Sequence, residues 1–385
     1  MRGIDELLAA MASSNASDLI LSVGAPPQFR ILGKLRPHGD ESLSSSETAQ
    51  MAHALLNETQ VQKLRDQRSI DFSKELLPGQ RFRFNIFYQR DTIALAARLI
   101  PAAIPGYEEL GLPEIVRQFA LRPHGLILVT GPAGSGKSTT LAAMLDHINR
   151  SRQAHIIALE DPIEYLHHNR NSVIEQREIY SDARSFSDAL RSVFRQSPDV
   201  VMIGEMRDIE TMQLALTLAE TGHLILATLH TQDTSHAIHR IVDVFPPAHQ
   251  QQVYTQLSMV LSAIISQCLL MSSDQLRRVL ACEVMNMNNA IRNLIRERQL
   301  QQVYSVIQTG KSQGMMTMNE SLKGLVVDGL LDQEVALERS PRPRELARML
   351  GVSQDEYAGV SQTEEFITAI PDAAPIKVFN GDRMS

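Results

Sequence analysis

The sequence predicts two folded units: a small α+β domain over residues 1–100, then a larger α/β domain over 110–355. Three observations carry this. Four short, nearly all-apolar runs alternate with helical stretches after residue 110, as expected of parallel strands buried on both faces. A glycine-rich turn separates the first of these runs from a helical pattern. Pro101-Ala102-Ala103-Ile104-Pro105-Gly106 can continue neither helix nor strand, and marks a linker over 101–109.

In chain order, residues 4–14 read as a helix, and 17–23 and 28–32 as strands around Gly24-Ala25-Pro26-Pro27, with a turn at Gly33-Lys34. Residues 46–57 and 59–67 are predicted helical, starting at Ser46 and Thr59. Strands follow near 69–73, 81–88 and 92–100, with a turn at Pro78-Gly79. The apolar strands of the second domain are 126–130, 155–159, 200–204 and 224–229. From about 247 to 350 the expectation is mostly helix, and 356–385 is expected to be a disordered tail.

A chain of 385 residues allows two or three domains. The net charge of −7 gives no global attraction to nucleic acid. No apolar run approaches the ~18 residues of a membrane span, and Asp5 and Glu6 stand where a signal peptide would be basic, which predicts the cytoplasm. Cys268 and Cys282 form no metal-ligand spacing and are expected to be buried thiols.

Gly131-Pro132-Ala133-Gly134-Ser135-Gly136-Lys137-Ser138 follows Leu126-Ile127-Leu128-Val129 and opens the helix of Thr139-Thr140-Leu141. Strand, glycine loop, Lys-Ser and helix in that order form a phosphate-binding loop. Glycines let backbone N–H groups turn toward phosphate oxygens, and the helix start adds a positive dipole end. Lys137 is the sole lysine between Lys74 and Lys311. It is predicted to reach the outer phosphates of a nucleotide, with the Ser138 hydroxyl on Mg²⁺.

Phosphoryl transfer needs a held Mg²⁺ and a base for the attacking water, and in a parallel sheet both belong at strand carboxyl ends. Two strands here end in acids. Val200–Gly204 runs into Glu205, the candidate general base. Ile156–Leu159 runs into Glu160-Asp161-Pro162-Ile163-Glu164, where Glu164, backed by Glu160 and Asp161, is the candidate for Mg²⁺ or its waters. A third strand carries His223 at its start and His230 at its end. His230 is the candidate γ-phosphate sensor, and His223 is a weaker one.

Arg81 and Arg83 lie two apart on a strand and share a face, with Phe82 and Phe84 on the other. With Arg90 and Arg98 they are either a solvated surface or a source of charge for the transferring phosphoryl group. The distance along the chain to the glycine loop suits delivery from a neighbouring subunit.

These motifs together resemble the secretion-type ATPases of type IV pili and type II secretion, most closely the pilus-retraction ATPases. The matching stretches are 131–140, Glu-Asp-Pro-Ile-Glu-Tyr at 160–165, Gly-Glu-Met-Arg-Asp at 204–208, Thr-Gly-His with Thr-Leu-His-Thr at 221–231, Arg-Phe-Arg-Phe-Asn at 81–85, and Ala-Ile-Arg-Asn-Leu-Ile-Arg-Glu at 290–297. The resemblance covers about residues 4–350. It implies a homohexamer of subunits, each with a PAS-like N-terminal domain and a RecA-like ATPase domain with a helical C-terminal part. ATP and Mg²⁺ would bind between the domains, near Arg81, Arg83 and Arg98, against the next subunit. The ring would dock at the cytoplasmic face of the inner membrane on a pilus platform protein (PilC-like), with another pilus ATPase as a further partner. An accessory retraction ATPase of the PilU kind is the near alternative. A pilus-assembly or type II secretion ATPase is disfavoured by the two cysteines and the missing extra domain. A nucleic-acid motor is disfavoured by the acidic charge, and a non-hydrolysing scaffold by the intact Lys137, Ser138 and Glu205.

Overall fold

The computed structural model describes residues 3–14, 16–31, 34–77, 80–100 and 103–352. The turns expected at Gly33 and Pro78-Gly79, part of the linker and the tail from 356 onward lie outside the described residues.

The N-terminal domain contains α1 (Ile4–Ser13), β1 (Asp18–Leu21), β2 (Gln28–Ile31), β3 (Lys34–Pro37), α2 (Ser45–Leu55), α3 (Glu58–Gln67), β4 (Ser69–Leu77), β5 (Gln80–Gln89) and β6 (Thr92–Ile100). Its six strands form an antiparallel sheet of order β3-β2-β1-β6-β5-β4. Alternation decides the faces of β5: Phe82, Phe84 and Ile86 are fully buried against α1 and α2 residues such as Leu7 and Met51, while the arginines between them face outward. Both α2 and α3 begin earlier than Ser46 and Thr59, because Ser44 with Glu47 and Asn57 with Gln60 close reciprocal capping boxes. The strand β3, paired to β2, went unread because it is four residues long, wholly exposed and adjoins the turn expected at Gly33-Lys34.

After α4 (Tyr107–Leu110) and α5 (Ile115–Ala120) come β7 (Gly125–Thr130), α6 (Lys137–Ser151), β8 (His155–Glu160), β9 (Val173–Glu178), α7 (Phe186–Val193), β10 (Val200–Ile203), α8 (Ile209–Glu220), β11 (Leu224–Leu229), α9 (Thr234–Asp243), α10 (Pro247–Val260), β12 (Leu261–Met271) and β13 (Arg278–Asn286). The remaining helices are α11 (Asn289–Arg296), α12 (Val303–Thr309), α13 (Met318–Val327), α14 (Gln333–Arg339) and α15 (Pro343–Leu350). The second sheet has the order β13-β12-β7-β11-β10-β8-β9, parallel except for β13. Alternate residues of each central strand serve two cores. Leu126 and Leu128 pack on the α8–α10 side, and Ile127 and Val129 on the side of α5 and α6.

The stretch after 247 is mostly helical, with α10 opening it and α11 to α15 closing it. Sequence reading passed over the antiparallel pair β12–β13, which lies between α10 and α11. The centre of β12, residues 263–267, is buried on both faces, and periodicity alone does not separate such a strand from a buried helix. Within this sheet β11 lies between β7 and β10.

Candidate active site

The loop closing β7 is shaped by its glycines. Gly131 has φ +144, and a Cβ there would fall 2.3 Å from the Gln267 carbonyl oxygen and 2.5 Å from Ser135 Oγ. Gly134 and Gly136 have φ of +76 and +87, and Gly136 begins α6 in the left-handed region. The loop thus turns over its own backbone and aims the start of α6 at a cavity of about 540 Å³.

That cavity is lined by Ala133, Gly134, Gly136, Lys137, Ser138 and Thr139 from the loop and helix, and by Glu160, Asp161, Glu164, Glu205 and His230 from strand ends. Arg83 and Arg98 reach it from the N-terminal domain of the same chain. Gly131, Pro132, Ser135 and Thr140 do not line it. Gly131 and Pro132 lend carbonyls to Lys137 Nζ at 2.8 and 2.9 Å. Thr140 Oγ1 accepts from Gln267 Nε2 of β12 at 2.7 Å, so it anchors the helix instead of facing a ligand. Ser135 Oγ is buried without a hydrogen-bond partner.

His230 bridges the two central candidates. Its Nδ1 is 3.4 Å from Lys137 Nζ and its Nε2 is 3.2 Å from Glu205 Oε1. Burial pulls the Lys137 ammonium below its ordinary pKa, with Glu205 and Glu164 acting the other way. Burial pushes the Glu205 carboxyl up, but Arg207, whose Nη2 is 2.7 Å from Oε2, and His230 hold it below its ordinary value. Glu205 therefore stands as a carboxylate at the tip of β10. Glu160 is 7% exposed, and burial raises its pKa to about 7. Asp161 is also raised, chiefly by burial.

His223 is not brought to the site. It lies at the amino end of β11, a six-residue strand or roughly 20 Å from the glycine loop. Its Nδ1 is 2.9 Å from the Leu218 carbonyl oxygen, a local turn contact. Arg81 is not there either: its Nη2 is 3.0 Å from Glu178 Oε2. Arg83 and Arg98 face each other across β5 and β6, and Asp18 holds Arg98 Nε at 2.8 Å. Two opposed guanidiniums repel across a sheet. Turned to one cavity, they suit an anion.

Sequence reading gave no role to Arg207, Tyr165, Arg278 of β13 or Leu269 of β12. Arg207 and Tyr165 lie within the stretches 204–208 and 160–165 and so had a local signal. Arg278 and Leu269 lie on the two strands that went unread. Mg²⁺ takes one or two protein oxygens and completes its shell from phosphates and water. Ser138 and Glu164 line the same cavity and provide such oxygens.

A glycine loop closing a parallel strand and opening a helix, with a carboxylate and a histidine converging on its lysine, defines a nucleotide-binding α/β protein. Residues 105–348 match the family described as type II/IV secretion system protein. The chain is 45% identical over 340 residues to the type IV pilus retraction ATPase PilT of Pseudomonas aeruginosa, spanning 88% of this chain and 98% of that one. It is 36% identical over 354 residues to the type IV pilus ATPase PilU of the same organism, spanning 92% and 93%. The crystal structure of the pilus retraction motor PilT with bound ADP matches with a TM-score of 0.85 and 46% identity, over 90% of this chain and 100% of that one. The chain belongs to the type II/IV secretion ATPases, and within them to the PilT family of pilus-retraction ATPases.

Proposed function

We propose that this chain is a Mg²⁺-dependent ATP hydrolase that powers retraction of a type IV pilus. The observation that carries the chemistry is the convergence of Lys137, His230 and Glu205 in one cavity with the glycine loop. In this reading the backbone N–H groups of the loop and Lys137 hold the outer phosphates. Glu205 orients and accepts the proton of the attacking water. His230, touching both, reports whether the outer phosphate is present. Ser138 and Glu164, with Glu160 and Asp161 behind them, hold Mg²⁺, which when bound neutralises charge building on the phosphate oxygens. Arg83 and Arg98 stabilise the same charge from the N-terminal domain.

The assembly belongs to the same proposal: a homohexamer of PAS-like and RecA-like domains on the cytoplasmic face of the inner membrane. The ring would dock on a PilC-like platform protein and work with a second pilus ATPase. Support comes from the high identity to PilT over nearly its whole length and from the strand order that places β11 between β7 and β10. No helix among the described residues is long and apolar enough to cross a membrane. The experiment is deletion of the gene with imaging of surface pili. Surplus pili without twitching are expected; bare cells would mean an assembly motor instead.

A further inference from the structure

Two successive backbone amides of the loop that carries Glu164 are each held by a carboxylate at a strand end. Glu164 N donates to Glu160 Oε2 and Ile163 N to Glu178 Oε2, both at 3.3 Å. Glu160 and Glu178 close β8 and β9, where they are register partners. They lie at one depth beneath the loop, and both are buried.

Glu178 differs from Glu160 in its other partners. Its Oε2 also receives Arg81 Nη2 at 3.0 Å and the Ser73 hydroxyl, both from the N-terminal domain. Arg81 in turn donates to Ser73 Oγ through Nε and Nη2, at 3.1 and 2.8 Å. One buried oxygen therefore takes donors from two domains: a cation and a hydroxyl on one side, the amide before Glu164 on the other. A buried carboxylate is tolerated when a counter-charge and hydrogen bonds satisfy it. Arg81 supplies that counter-charge from a different domain.

We propose that Glu178 is a positioning residue that ties the placement of Glu164 to the orientation of the N-terminal domain. With Arg81 and Ser73 seated on it, Glu178 keeps its place beneath the loop and pins the Ile163 amide. When the N-terminal domain turns away, the carboxylate loses both of those partners and its hold on the loop is released. Arg81 thereby acts through Glu178 and the loop, and Arg83 and Arg98 are left to face the cavity directly.

The test has one readout that needs no hydrolysis. In the nucleotide-free full chain, Arg81→Met is expected to speed amide exchange of segment 161–165 by about tenfold and to leave β8 unchanged. Loop exchange that stays at the wild-type rate while only β4 and β5 loosen would overturn the inference, since Arg81 would then merely dock the domains. The second readout rests on the ATP reading above. Arg81→Met and Glu178→Gln should each lower kcat by roughly tenfold, raise the Mg²⁺ concentration for half-maximal activity and change KM for ATP little, and the double variant should fall no further than either single one. Additive losses would overturn the inference by making Arg81 an independent group on the phosphates. If Arg81→Met does not fold, Ser73→Ala removes one donor from the same oxygen. It is expected to speed loop exchange about threefold, and no change there would count against the proposal. Faster loop exchange in a protein without ATPase activity would support the coupling and sink the hydrolase reading separately.

Discussion

His230 touches Lys137 and Glu205 at once, through opposite ring nitrogens, at 3.4 and 3.2 Å. One imidazole thus connects the group expected to grip phosphate with the group expected to prime water. His230→Ala should lower kcat by roughly 100-fold, while nucleotide affinity stays within a few-fold. His230→Gln should recover part of the loss. Steady-state ATPase assays with a fluorescent nucleotide for binding separate the two effects; unchanged kcat in His230→Ala would remove the histidine from the chemistry.

Lys137→Ala and Glu205→Ala should both abolish phosphate release, but for different reasons. Loss of Lys137 weakens binding itself, whereas Glu205→Ala should retain a bound, unhydrolysed nucleotide. Release assays paired with equilibrium binding check this, and activity surviving both changes would refute the site.

Arg83 and Arg98 oppose each other at the cavity wall. Alanine at either position should cut turnover, by roughly 100-fold or more at Arg83, with nucleotide binding largely kept. Arg98 is partly neutralised by Asp18, so its loss should cost less. A collapse of binding in place of turnover would show that the arginines grip the ground state.

Gly131→Ala forces a Cβ to within 2.3 Å of a backbone oxygen at a φ that L residues avoid. It should destabilise the domain by roughly 3 kcal/mol or displace the loop from β12. Chemical denaturation together with nucleotide binding would register either result.

His167 is half-buried, and the loss of water around its imidazole lowers its pKa from 6.5 to about 4. A base with a depressed folded pKa binds fewer protons in the folded state, so its stabilising contribution is full above 6.5 and lost as pH falls toward 4. Wild type should lose about 1 kcal/mol by pH 5.5 from this group alone, and His167→Phe should flatten that part of the profile. Melting temperatures across pH 4–8 test it; parallel profiles would mean another group titrates.

Much of the site was legible because its chemistry is written locally. Gly131–Ser138 between an apolar run and a helix, and Glu205 at the tip of Val200–Gly204, need only neighbours in sequence to be read. What failed needed partners from elsewhere. Arg81 and Arg83 are alike in sequence, and only the buried Glu178 on a distant strand separates them. His223 and His230 flank one strand, and which end faces the loop depends on its parallel pairing with β7. β12 and β13 were misread because burial on both faces erases the alternation that marks a strand.

The interposed strand β11 sets a ruler. Strands in a sheet stand about 4.8 Å apart, so the tip that carries Glu205 is held roughly 10 Å across from the end of β7. A gap that wide admits a phosphoryl group and one water in line, with neither squeezed. Because it is fixed by backbone pairing, side-chain substitutions can alter what fills the gap far more readily than its breadth.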